Sequence, residues 1–119
     1  MDSRVDLDGA ALEITRRADR WRESGMTLGN VTWRDQADGW PPQLKTNRGD
    51  VRDADSIGIR CTKGDREGSL VLFKGGWCDL EYWSGDIADE PLTEAPGYND
   101  WLTVESYGAL LDRFFGLFQ

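Results

Sequence analysis

Asp79 and Glu81 stand two residues apart in the run Trp77-Cys78-Asp79-Leu80-Glu81-Tyr82-Trp83. On an extended chain side chains alternate between faces, so both acids would share one face. Two carboxylates around one bond are the equipment of glycoside hydrolysis. Flanked by Trp77 and Trp83, the same acids suit gripping a cationic partner, the charge steering the encounter and the rings supplying buried area. Acid pairs at this spacing are ordinary on strands, and the chain offers them no catalytic companions. It contains no histidine, which excludes Ser-His-Asp and Cys-His catalysis and the usual imidazole-built zinc and iron sites. Gly75-Gly76 reads as a turn, and no GxGxxG or phosphate loop is present. Asp50, Asp53 and Asp55 lack the spacing and terminal glutamate of a calcium loop. Cys61 and Cys78 form no CxxC pair; each lies in an apolar alternating segment and reads as a small buried hydrophobe. The expectation is therefore a chain without catalysis, metal or cofactor.

The acid pair belongs to a wider pattern. Residues 75–112 hold nine carboxylates and no lysine or arginine, whereas thirteen of the fourteen basic residues lie at or before Lys74. The formal net charge is −8 and the isoelectric point about 4.4. Such a chain repels nucleic acid and anionic membranes and attracts basic proteins; the charge would also serve solubility alone. The start, Met1-Asp2-Ser3-Arg4-Val5-Asp6, has no apolar signal core, and no run is long enough to span a membrane, so a cytoplasmic location is expected. A length of 119 residues fits one domain, 1–119, with a core that needs no staples.

The elements that must position these residues follow from periodicity. Leu7, Ala11, Ile14, Ala18 and Trp21 recur at helical spacing, predicting a helix over 8–24 with Asp6 and Asp8 at its start and Gly25 as its stop. Arg16, Arg17, Arg20 and Arg22 in its later turns read as a solvated face. Residues 27–35 read as a strand, and 43–46 as a short strand at an edge after Trp40-Pro41-Pro42. Residues 47–55 read as a loop. Ile57, Ile59 and Cys61 alternate with polar neighbours as a half-buried strand. A turn over 63–68 leads to a fully apolar strand over 69–74, and 77–84 reads as the last strand. Residues 85–101, rich in Pro, Gly and Asp, read as a long surface loop of the kind that carries function. A closing helix over 104–118, capped by Thr103, turns Tyr107, Leu111, Phe114 and Phe118 inward. The result is an α+β fold: N-terminal helix, antiparallel meander of about four or five strands, C-terminal helix, with both helices on one face of the sheet.

In that fold Cys78, Leu80 and Tyr82 would face the helices. Trp77, Asp79, Glu81 and Trp83 would face away, alongside Ser56, Gly58, Arg60 and Thr62. The plainer alternative makes Trp77 and Trp83 a satellite core, with Asp79 and Glu81 paired to Arg60 or Lys74. The candidate partner-binding residues are Trp77, Asp79, Glu81 and Trp83, followed by Asp86, Asp89, Glu90 and Trp101 in the loop. Glu105 reads as serving a helix start.

Three runs carry a family resemblance: Ile57-Gly58-Ile59-Arg60, Gly68-Ser69-Leu70-Val71-Leu72-Phe73 and Gly75-Gly76-Trp77-Cys78-Asp79-Leu80-Glu81-Tyr82. Together they resemble the core of TriTu-type immunity proteins, which reads as a strand, a turn, a strand ending near an aromatic and glycine, and then (C/L)-D-(L/M)-E. Here Phe73, Gly76 and Cys78-Asp79-Leu80-Glu81 stand in those places. The opening helix with Trp21-Arg22-Glu23-Ser24-Gly25 and the closing helix over 106–118 are also similar. The resemblance implies a bacterial antitoxin that binds and blocks a neighbouring-gene toxin, an ADP-ribosyltransferase acting on elongation factor Tu, as a monomer that forms a heterodimer with it. The long 85–100 loop and the Trp40-Pro41-Pro42 segment depart from the pattern where partner specificity resides. An acidic secretion chaperone or adaptor with a basic client is the alternative.

Overall fold

An apolar helix stripe needs an apolar sheet face, and this chain supplies two of the first and one of the second. The computed structural model describes residues 4–119; Met1, Asp2 and Ser3 of the charged start lie outside the described residues. Helix α1 spans Leu7–Glu23, with the Asp6 side chain accepting from the Asp8 N–H at its start. Helix α2 spans Val104–Leu117 and opens on a reciprocal cap. Thr103 accepts from the Ser106 N–H and Ser106 from the Thr103 N–H. Between them lie β1 (Thr27–Leu28), β2 (Thr32–Asp35), β3 (Ala54–Lys63), β4 (Arg66–Phe73), β5 (Trp77–Trp83) and β6 (Leu92–Glu94). All pairings are antiparallel, in the order β1-β3-β4-β5-β6, with β2 also on β3. The α+β architecture with a helix at each end is thus the one expected from the sequence.

Both helices pack on one face of this sheet. Its inward rows are Trp33, Ile57, Leu72 and Cys78, then Ile59, Leu70 and Leu80, and all of these are buried. Tyr107, Leu111, Phe114 and Phe118 of the closing segment are fully buried against them, as is Trp21 of α1. Trp21 stacks on Phe115 across the helix pair at 5.9 Å. Of the expected α1 stripe, Leu7, Ile14 and Trp21 are buried, while Ala10, not Ala11 or Ala18, completes it.

Several sequence expectations need correcting. The 27–35 strand is two strands: β1 and β2 pair separately with β3, with the register shifted by one residue between Leu28 and Thr32, although the Gly29 N–H still bonds the Arg60 carbonyl at 2.8 Å. Residues 43–46 form no strand; one bridge joins Lys45 to Trp33. The 63–68 turn contracts to Gly64-Asp65, where Gly64 takes φ +60°, and β4 starts at Arg66. The 69–74 run is not buried on both sides: Leu70 and Leu72 face the core, while Val71 and Phe73 face away, half-buried. Residues 77–84 are not the last strand, for β6 pairs with β5 from within the supposed loop. Arg17 is not a solvated cation, since its guanidinium bonds the Asp112 carboxylate at 2.7 Å and ties α1 to α2.

Candidate functional site

The sheet's second face carries no helix. The antiparallel register lays its side chains out in rows: Arg34, Ser56, Phe73 and Trp77; Thr32, Gly58, Val71 and Asp79; Arg60, Ser69, Glu81 and Thr93; Thr62, Glu67 and Trp83. The alternation expected along β5 holds. Cys78 and Leu80 are buried, and Tyr82 packs edge-on against Phe118 at 5.2 Å. Asp79 and Glu81 are exposed between the half-buried Trp77 and Trp83. Neither carboxylate has the expected partner. Arg60 approaches Glu67 at 3.6 Å, and Lys74 is buried at the hairpin end.

Trp77 and Trp83 have different surroundings. At the hairpin end Trp77 stacks on Phe73 at 4.3 Å and meets the edge of Tyr98 at 6.2 Å. The Phe73 ring also lies 5.5 Å from the Arg34 guanidinium, which Asp55 grips with two bonds of 2.7 and 2.8 Å. This end matches the satellite-core reading. Trp101 lies at the same end, its ring 4.0 Å from the Arg4 guanidinium and its backbone in the left-handed region at φ 54°. That Phe73 and Tyr98 pack on Trp77 was not legible in the sequence: Phe73 sat in an apolar run without visible alternation, and Tyr98 in a segment read as a loop.

At the far end the Trp83 indole N–H donates to the Asp89 carbonyl at 3.2 Å. Six residues of extended chain separate the two indoles, roughly 20 Å. The turn after β5 is well tied. Ser84 donates to the Asp89 carboxylate at 2.7 Å, and the Asp86 carboxylate accepts from the Ala88 N–H at 2.9 Å. Gly85 takes φ +87°, and a Cβ there would sit 2.5 Å from Asp65 of the β3–β4 turn, so the position admits only glycine. This turn projects Ile87, 97% exposed, between Asp86 and the exposed Asp89 and Glu90. An isolated isoleucine among acids gives no periodic signal, so it was not legible in the sequence.

The nine carboxylates of residues 75–112 therefore divide. Glu94 and Asp112 are claimed by Arg113 and Arg17, each at 2.7 Å, and these cations hold both carboxyls below the usual carboxylate range. Glu105 lies in the first turn of α2, where a negative charge suits the helix end. Asp79 and Glu81 remain on the open face, and Asp86, Asp89 and Glu90 beside it, while the exposed Asp100 adjoins Trp101 at the other end. Asp79 and Glu81 share one face, but the groups gathered around Glu81 are the Glu67 carboxylate, the Arg60 guanidinium and the Trp83 indole. That set suits holding a cation.

Comparison with protein-family models, curated proteins and solved structures finds no match.

Proposed function

We propose that this chain is a non-catalytic, cytoplasmic immunity protein. It neutralises a cognate bacterial toxin, an ADP-ribosyltransferase acting on elongation factor Tu, by lying over its active or substrate site. The observation that carries this reading is the row Trp77, Asp79, Glu81 and Trp83, presented on a sheet face that no helix covers. Exposed acids beside immobilised rings fit the basic cleft of an enzyme that binds the pyrophosphate of a dinucleotide. The resemblance of the β3–β5 core to TriTu-type proteins supplies the toxin class. Trp83 and the acidic turn carrying Asp86, Asp89 and Glu90 make the principal contact surface, with Trp77 and Trp101 at its other end.

Co-expression with the toxin encoded beside this gene tests the reading. Cells should survive with the chain and die without it, and death at the same rate in both cases rejects the proposal. An inhibition assay separates the adaptor alternative. A toxin that keeps full activity when saturated with this chain is a client of a chaperone.

A further inference from the structure

Ser69 leaves a hollow in the open face. Its cross-strand neighbours are Arg60 on β3 and Glu81 on β5, with Thr93 beyond Glu81 on β6. Glu67 and Trp83 oppose each other one row along. A small side chain ringed by long ones produces a cleft of about 300 Å³, with Pro91 completing its rim. The walls differ in kind. The Trp83 indole is half-buried and anchored by its N–H to Asp89, so its ring presents a fixed surface. Glu81 is exposed and forms no ion pair among the described residues. Two carboxylates against the one Arg60 guanidinium leave the lining net negative, and Arg60 itself leans toward Glu67.

We propose that this cleft receives an arginine side chain from the toxin, its guanidinium laid against the Trp83 indole and hydrogen-bonded to Glu81, with Glu67 as the second carboxylate. A guanidinium is planar, weakly hydrated and able to bond a carboxylate through two N–H groups while its face stacks on a ring. An ammonium is compact and strongly hydrated and matches only the charge. The inference rests on the toxin-binding reading for the source of the arginine, whereas the cleft's chemistry can be tested without the toxin.

The test is titration of the ¹⁵N-labelled full chain with capped arginine amide, capped lysine amide and capped citrulline amide, the last a neutral isostere of arginine. Arginine should shift the Trp83 indole N–H signal and the amides of Ser69, Glu81 and Thr93. Citrulline and lysine should bind at least about fivefold more weakly. Glu81→Gln should weaken the arginine response roughly fivefold. Ser69→Leu, which fills the hollow from an open face, should abolish it while signals from the core stay in place. An equal response to citrulline, a response elsewhere on the surface, or one indifferent to Ser69→Leu overturns the proposal. A chain that takes arginine here but fails to protect cells refutes the toxin reading alone; one that protects cells but ignores arginine refutes the cleft alone.

Discussion

Asp35 is a fully buried carboxylate at the end of β2, where a lone charge would be costly. It is retained because three backbone N–H groups, of Arg52, Ala37 and Asp53, donate to it at 2.8, 2.9 and 3.0 Å, with the Lys45 ammonium at 3.4 Å. These donors, led by the Arg52 N–H, hold its carboxyl far below the usual range. Both oxygens are used, so an amide would turn its own N–H2 toward donors. Asp35→Asn should lower the melting temperature by about 10 °C, read by circular dichroism, and an unchanged melt would refute the assignment. Tyr107 presents the reverse case. Its hydroxyl lies in the core with no partner among the described residues, and burial pushes its pKa up. Tyr107→Phe should keep stability or raise it by up to about 1 kcal/mol in urea unfolding; a loss would reveal a partner for the oxygen. Sequence reading placed Tyr107 in the inward stripe but showed neither the Asp35 donors nor the unpartnered Tyr107 hydroxyl, because these depend on neighbours brought in from distant segments. It did reach Cys61 and Cys78. Burial pushes both thiols up to about 12, so they should resist alkylation in the folded chain and react on unfolding.

Between elements, the critical contact is that of α2 with the sheet. Gly68 on β4 lies beneath it: a Cβ there would stand 2.9 Å from Phe114 Cε1 and 3.0 Å from both Phe118 Cζ and the Glu81 carbonyl oxygen. Backbone on one side and two close-packed rings on the other leave nowhere to move. Gly68→Ala should cost about 1–3 kcal/mol, measured by chemical unfolding, and a neutral result would mean that α2 sits further out. The Arg17–Asp112 pair joins α1 to α2 through a carboxylate that is more than half exposed, so its coupling in a double-mutant cycle should be only a few tenths of a kcal/mol. Both helices were legible because their stripes and caps are local signals. β6 was not. Its three residues lie between Pro91 and Pro96, too short for a visible alternation, and they become a strand only because β5 offers a free edge.

Across the whole molecule, charge sets the response to pH and salt. Asp8, held down by the Arg48 guanidinium, joins Asp35, Glu94 and Asp112 as carboxyls with lowered pKa in the folded state. The unfolded chain then binds protons more readily in acid than the folded one. The stability from these groups is complete above about pH 5, starts to fall near pH 4 and is lost as pH drops through the lower folded values. With no histidine, stability should stay nearly flat from about pH 6 to pH 8; above that window it should fall, because the unfolded chain gives up its thiol protons near about pH 8.5 while the folded chain holds both thiols up to about 12. A steep change within that window would contradict this account. Association with the proposed toxin should slow as salt rises from about 0.05 to 0.5 M, with dissociation much less affected; an on-rate indifferent to salt would assign the contact to Ile87 and the rings instead of the acids. The sequence by itself determined the α+β class, the inward stripes of both helices, the two faces of β5 and the lopsided charge, because each is written in short-range periodicity or composition. Only the tertiary structure decided which acids are free. Arg17 reaches Asp112 across 95 residues and Arg113 reaches Glu94 across 19. It alone also made Trp77 a stacked packing residue and Trp83 the wall of a cleft, since that difference depends on what the neighbouring strands and loops bring alongside two otherwise equivalent tryptophans.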